Sequence, residues 1–410
     1  MDDSNFRAMA AEIEGLLGID CTRHDGLGFG TRAVHGYGAV ADGTGSINQP
    51  IYQTATFAHP GLHRSTGFAY SRCGNPTVLE LEDTIAMLEG GCKALAFCSG
   101  MAAISCVVKQ FSAGDVVLVS DDLYGGTHRL FQDVYAARYG IEFRSVDFSD
   151  LAAVDAACAE AAHTDGRLKA FFVETPTNPM MKVADLRALA ERAHAHRALL
   201  IVDNTFLTSY FQRPLELGAD LVVYSGTKYL CGHNDVICGF LVIRDEKLIE
   251  RTFMDYMSEG DALSPFDAWL MLRSLKTLPL RLDAQQGNAL ALCEFLKTHP
   301  RVTNVLYVGD PDHPAFELSR RQASGFGAMI SFYVDSPMRA ERVLERVKVI
   351  TFAESLGGVE SLITYPCVQT HGSVPAEIRE RLGITDTLLR LSVGIEDVTD
   401  LMNDLDQALR

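Results

Sequence analysis

Between residues 76 and 243, short apolar runs alternate with longer segments of helical spacing. Val78, Leu79, Leu81, Ile85 and Leu88 recur at intervals that place them on one side of a helix. Gly90-Gly91 then supplies a C-terminal stop. Ala94–Phe97 follows as a short buried strand, and a helix is expected from Met101. The alternation goes on to predict strands at Val116–Val119, Ile141–Val146, Ala170–Val173, Leu199–Val202, Leu221–Tyr224 and Gly239–Ile243. The intervening helices are expected from Thr127, over Leu151–Ala162 and over Ala184–His194. Seven β-rich runs separated by helical segments predict an α/β fold on a mostly parallel seven-stranded sheet.

The period changes after about Gly260. Asp267–Leu278 and Leu280–Leu296 predict long helices, followed by strands at Val302–Tyr307, Met329–Val334 and Leu388–Val393. Helices are expected at Met338–Val347 and Val398–Leu409. This is the pattern of a smaller α+β domain. Residues 1–60 are rich in Gly, Asp and Thr and lack periodicity beyond a short apolar helix around Ile13–Leu17. The expected organisation is an N-terminal arm over 1–60 contacting a neighbouring subunit, a large domain over 61–260 and a small C-terminal domain over 261–410.

Composition narrows the function classes. With 47% hydrophobic and 22% charged residues, the chain is neither disordered nor fibrous. A formal charge of −17 repels a nucleic-acid backbone or an anionic membrane, although it permits a local pocket for a small anion. No apolar run reaches the ~18 residues of a membrane span, and the acidic N-terminus does not read as a signal peptide. The ten cysteines form no CxxC pair and read as reduced core thiols. Cys231 and His233 lack a second ligand pair, so no metal is expected. A cytoplasmic setting follows.

Ligands of open α/β sheets bind at the carboxyl ends of the strands. Four predicted strands end in unusual polar residues. Ser99-Gly100-Met101 opens a helix after the first strand, where free amides and the helix dipole can seat a phosphate; an ordinary helix cap has the same appearance. Asp203-Asn204-Thr205 closes the strand Leu199–Val202, either as a structural acid or as a carboxylate aimed into the ligand crevice. Ser225-Gly226-Thr227-Lys228 offers two hydroxyls and an amine, and burial would lower the amine's pKa and make it a nucleophile. Asp122-Leu123-Tyr124-Gly125-Gly126-Thr127 offers an aromatic ring for stacking, or a plain turn. Together they supply what pyridoxal phosphate needs: a lysine for its aldehyde, an acid for its ring nitrogen, a phosphate cup and a face-on ring.

These motifs, in this order, resemble the Cys/Met-metabolism (transsulfuration) family of pyridoxal-phosphate enzymes. The resemblance runs from about Gly30 to the C-terminus. It also includes Tyr70-Ser71-Arg72 before Gly74-Asn75-Pro76-Thr77, Glu174-Thr175-Pro176-Thr177-Asn178-Pro179, Glu354-Ser355-Leu356-Gly357-Gly358, Thr370-His371 and Leu389-Arg390-Leu391-Ser392. It implies a fold-type I, aspartate-aminotransferase-like large domain. It implies Lys228 as the aldehyde-binding lysine, Asp203 as partner of the ring nitrogen, and Tyr124 as stacking and proton-transfer residue. Ser99, Gly100, Met101, Thr205, Ser225 and Thr227 match cofactor positions. Arg390 matches the arginine that grips a substrate carboxylate, while Asn178, Ser355 and Glu354 match neighbouring substrate contacts. Arg72 and Arg129 are the next cations available for that carboxylate. Tyr70 and Arg72 match residues that reach the phosphate of a neighbouring subunit, which implies a dimer with shared sites, paired into a tetramer.

Within the family, methionine γ-lyases carry a cysteine where this chain has Gly126, and one type of cystathionine β-lyase carries a tryptophan where it has Leu356. Glu354 resembles the acid of cystathionine γ-synthases and γ-lyases, whereas Ala69 stands where many of those enzymes have an acid. Ile363-Thr364-Tyr365-Pro366 and Gln369-Thr370-His371 resemble bacterial γ-synthases that use acylated homoserine. The expected reaction is of the cystathionine γ-synthase type. The alternatives are a cystathionine γ- or β-lyase, then a methionine γ-lyase or an O-acylhomoserine sulfhydrylase. An aminotransferase would share the lysine and the acid but not the Tyr124-Gly125-Gly126 and Ser355-Leu356-Gly357-Gly358 motifs. A nicotinamide oxidoreductase is a weaker reading still, because Gly26-Leu27-Gly28-Phe29-Gly30 follows no strand and fails the G-x-G-x-x-G spacing.

Overall fold

The structure, a computed structural model, describes residues 18–20, 22–38, 43–162, 168–372 and 374–410. The helix expected around Ile13–Leu17 lies outside the described residues. Among the described residues, seven strands form the main sheet: β1 (Lys93–Phe97), β2 (Val116–Ser120), β3 (Glu142–Val146), β4 (Leu168–Glu174), β5 (Leu199–Asp203), β6 (Leu221–Ser225) and β7 (Gly239–Ile243). Their order is β1-β7-β6-β5-β4-β2-β3. The ladders from β6 through β5, β4 and β2 to β3 are parallel, whereas β7 runs antiparallel to both β1 and β6. All seven runs expected from the sequence are present, most shifted by a residue or two at one end.

Side-chain alternation divides the sheet's two faces between two cores. Ala94, Ala96, Leu200, Val202, Val222 and Tyr224 belong to one core cluster. Leu95, Phe97, Ile201, Leu221 and Val223 belong to the other. Both faces are therefore dry, which is why these strands read as continuous apolar runs rather than as polar–apolar alternations. The helix Pro76–Glu89 begins with Asn75 capping the amide of Thr77 and ends at Gly90, whose φ of 85° only glycine adopts without strain.

A second sheet of five strands has the order β10-β11-β12-β9-β8, built from β8 (Val302–Leu306), β9 (Met329–Val334), β10 (Thr351–Phe352), β11 (Leu362–Thr364) and β12 (Leu388–Ser392). The sequence reading missed β10 and β11, which are too short to show a period. It also missed the helix Ile249–Glu259, whose buried positions Ile249, Thr252, Phe253 and Tyr256 include a threonine and a tyrosine. The helix expected from Thr127 begins earlier, at Gly125, and continues through a π-helical stretch, Leu130–Ala136. Part of the expected arm is ordered on its own chain: Phe29–His35 is a short helix whose Ala33 packs with Met87 and Leu88. Among the described residues no helix is long and apolar enough to cross a membrane.

Candidate active site

A cavity of about 750 Å³ opens at the carboxyl ends of the parallel strands. The main sheet supplies its floor and one wall, through Ser99, Gly100, Met101, Tyr124, Glu174, Asn178, Asp203, Thr205, Ser225, Thr227 and Lys228. The second sheet and its connections close it with Glu354, Ser355, Thr370 and Arg390. Thirteen of the sixteen residues singled out from the sequence thus meet in one place. The other three, Tyr70, Arg72 and Arg129, lie outside this lining. Arg72 stacks its guanidinium over the Tyr70 ring, 5.6 Å from the centroid, and donates to the carbonyl of Met257. Arg129 is exposed, at the last turn of the helix Gly125–Arg129.

The helix Gly100–Val108 points its N-terminus into the cavity. Ser99 is extended and its hydroxyl accepts from the Ala102 amide at 3.1 Å. The first amides of a helix have no carbonyl partner within it, so Gly100 and Met101 add donors and partial positive charge to the cavity. Gly239 on β7 makes this approach feasible, since a Cβ there would collide with the Ser99 carbonyl. Ser225 and Thr227 lie alongside. The Thr227 hydroxyl is tied to the backbone of Cys238, donating to its carbonyl at 3.2 Å and accepting from its amide at 3.0 Å.

Asp203 ends β5 with its carboxylate held by a single neighbour. Thr205 donates to Oδ1 from its amide at 3.0 Å and its hydroxyl at 2.6 Å, and Thr205 in turn accepts from the Ser225 amide at 2.9 Å. Burial pushes the Asp203 carboxyl upward, and the Thr205 hydrogen bonds oppose that. Its ladder partner on β4 is Glu174. Burial, and then the adjacent Asp203, raise Glu174 well above the ordinary carboxylate range. Glu174 accepts from the amides of Tyr124 and Asn178, each at 3.0 Å, and so ties two loops of the site together. Glu174 carries no assigned role in the sequence motif that contains it. The available signal was an acid closing a buried strand, as at Asp203.

Tyr124 leaves 41% of its surface open, with its ring folded over Gly126, where a Cβ would collide with it. Lys228 donates to the Ser355 hydroxyl at 2.8 Å. Burial and the positive charge of Arg390 lower its amine to about 8, while Glu354 opposes the shift. Ser355 sits at φ 87°, a left-handed conformation that is costly for serine and is held here by hydrogen bonds from Lys228 and Arg390. Arg390, fully enclosed on β12, donates to Asn178 Oδ1 at 2.8 Å and to the Ser355 carbonyl at 3.0 Å. Its Nε has no hydrogen-bond partner among the described residues, and burial lowers the group to about 10. An anion in the cavity would relieve that cost.

An amine with a lowered pKa, a buried acid, an open ring and a helix N-terminus around one cavity fit the donor chemistry of pyridoxal phosphate, and of the class of enzymes built on it. The model of the family described as "Cys/Met metabolism PLP-dependent enzyme" matches residues 30–410. The chain belongs to this family of pyridoxal-phosphate-dependent enzymes. It is 46% identical over 379 residues to the cystathionine γ-lyase of Bacillus subtilis, covering 92% of this chain and 98% of that one. It is 47% identical over 366 residues to the cystathionine γ-synthase/O-acetylhomoserine (thiol)-lyase of the same organism, covering 89% and 92%. The crystal structure of cystathionine γ-lyase from Lactobacillus plantarum in complex with L-serine superposes with a TM-score of 0.89 at 44% identity, covering 93% and 98%.

Proposed function

We propose that the protein is a transsulfuration enzyme of the cystathionine γ-synthase type, making or breaking a C–S bond at the γ-carbon. In this reading Lys228 would hold the cofactor aldehyde, Asp203 would pair with the ring nitrogen and Tyr124 would supply a stacking face. Gly100, Met101, Ser225 and Thr227 seat the phosphate, with Ser99 and Thr205 bracing them. When bound, pyridoxal phosphate supplies the electron sink that lets an amino acid lose protons at Cα and then at Cβ. Arg390 grips the α-carboxylate through its planar fork, with Asn178 and the Ser355 carbonyl orienting it. Lys228, with an amine near 8, is suited to remove the Cα proton and the Cβ proton in turn and to return them. The Ser355 hydroxyl keeps Nζ aimed at that side.

The observation that carries the γ-reading is the meeting of Lys228, Arg390 and Glu354 in one cavity. Arg390 takes one end of an amino acid, and Glu354 offers a carboxylate to a distal ammonium group such as that of cystathionine. In the synthetic direction an acylated homoserine and cysteine give cystathionine and a free carboxylic acid. In the cleaving direction cystathionine and water give cysteine, 2-oxobutyrate and ammonia. The names of the relatives span both directions, which supports the shared chemistry. We further infer a homodimer, paired into a tetramer, in which Tyr70 and Arg72 serve the neighbour's phosphate; their exposure outside their own cavity supports this. Free cysteines among the described residues support a cytoplasmic setting.

The test is product analysis with O-acetyl- and O-succinylhomoserine plus cysteine, and with cystathionine, methionine and cysteine alone. Cystathionine should dominate from an acylhomoserine with cysteine. Ammonia and 2-oxobutyrate from cystathionine as the faster reaction would overturn the synthase reading in favour of the lyase. Amino transfer to an added keto acid, without C–S chemistry, would overturn both.

A further inference from the structure

On the face of the main sheet opposite Asp203 lies a chain of buried polar side chains that the proposed chemistry does not use, and that meets the cavity's lining at Tyr224. Glu89 closes the helix Pro76–Glu89 and is fully enclosed, as is Asn204; Tyr224 and Gln212 are enclosed to within 2%. The Tyr224 hydroxyl donates to Glu89 Oε2 and accepts from Asn204 Nδ2 at 2.9 Å. Asn204 Nδ2 also donates to the Gln212 carbonyl at 2.8 Å, and Gln212 Nε2 returns a bond to Asn204 Oδ1 at 3.0 Å. The Leu215 amide reaches Glu89 Oε1 at 3.4 Å.

The place of this chain is informative. Asn204 sits between Asp203 and Thr205, and its own amide donates to the Val223 carbonyl at 3.1 Å. Alternation along β5 sends Leu199, Ile201 and Asp203 to one face, and Leu200, Val202 and then Asn204 to the other. Tyr224 shares the core of Leu200 and Val202. Asn204 is thus gripped from behind while its two neighbours face the cavity. Four buried polar groups cost free energy unless each is hydrogen-bonded; among the described residues all their side-chain polar atoms but Gln212 Oε1 find a partner. Buried polar pairs often add little net stability over an apolar set, so a role in fixing geometry is the hypothesis to test. Burial raises Glu89 to about 8, the Tyr224 and Leu215 hydrogen bonds and Arg213 opposing the shift and Glu216 adding to it. Burial thus favours the neutral carboxyl over a bare buried charge.

We propose that Glu89 and Tyr224 are positioning residues that act through Asn204 to fix the Asp203 carboxylate and the Thr205 hydroxyl in the cavity. The proposal rests on the reading of Asp203 given above. It assigns no catalytic role to either residue: they set where the acid stands, not what it does.

The test uses full-length protein stripped of cofactor and titrated with pyridoxal phosphate. Tyr224→Phe removes one hydroxyl and little volume. Its dissociation constant should rise about five- to tenfold, the scale of one lost buried hydrogen bond. The absorption maximum of the reloaded enzyme should shift, because the partner of the ring nitrogen has moved. At saturating cofactor the KM for the amino-acid substrate should remain within about twofold, since Arg390 is untouched, while kcat falls. Glu89→Leu should reproduce the loss, and Glu89→Gln, whose amide oxygen still accepts from the hydroxyl, should recover most of it. Tyr224→Phe with the dissociation constant and spectrum of the native enzyme, even with a lowered Tm, would reduce the chain to core packing and overturn the proposal. Asp203→Asn separates the two levels. Weakened binding there beside unchanged binding in Tyr224→Phe sinks the clamp alone, whereas native binding in Asp203→Asn sinks the reading of Asp203 and the clamp with it.

Discussion

At the scale of single residues, Lys228 shows how position changes chemistry. A lysine ordinarily stays charged to about pH 10 in water. Here the amine follows an apolar strand, faces a cavity and has Arg390 nearby, so that burial and like charge both favour the neutral form. The sign is direct: lowering the pKa leaves more neutral, nucleophilic amine at a given pH. The rate at which cofactor-free protein takes up pyridoxal phosphate should therefore climb with pH through a midpoint near 8. Arg390→Leu should move that midpoint upward, because one of the two causes has gone. Rate measurements across about two units either side of the midpoint check this, and a midpoint at the ordinary lysine value would contradict it.

At the scale of elements, the strands were legible because they are dry on both faces. Continuous runs such as Leu199–Val202 and Gly239–Ile243 carry their own signal, and so did the polar residues that end them. The acids Asp203 and Glu174 look alike in the sequence; only the β4–β5 register shows that they are neighbours and compete for charge. Arg390 lies on a strand of the second sheet, far along the chain from Asn178, so its place in the cavity depends on packing between two sheets and came from the motif resemblance alone. The two-residue β10 and three-residue β11 had no period to detect. Phe29–His35 was absorbed into an arm because a seven-residue helix with one buried side chain leaves almost no pattern. The Glu89–Tyr224–Asn204 chain was hidden for the reason that applies to Arg390: its members come from separate segments and meet only on packing.

At the scale of the whole molecule, the reading requires a partner. Tyr70 leaves 47% of its surface open, and Arg72 is held by a neighbouring aromatic ring and a carbonyl rather than by an acid. If each subunit lends these groups to the other, Arg72→Ala and Lys228→Ala proteins, each nearly inactive, should complement after dissociation and reassembly. Random pairing places both lesions in one site of each mixed dimer and none in the other, so about a quarter of all sites should recover. Confirmed exchange with no recovery would confine Arg72 to its own subunit. The claim on which all of this stands is that pyridoxal phosphate is carried by Lys228 in this cavity. The most direct measurement is reduction of the loaded enzyme with borohydride, followed by mass mapping of the proteolysed chain. The account predicts a stable pyridoxyl adduct on Lys228 and loss of the bound-cofactor absorbance. An adduct on another lysine, or a fully active enzyme with no adduct at all, would contradict it.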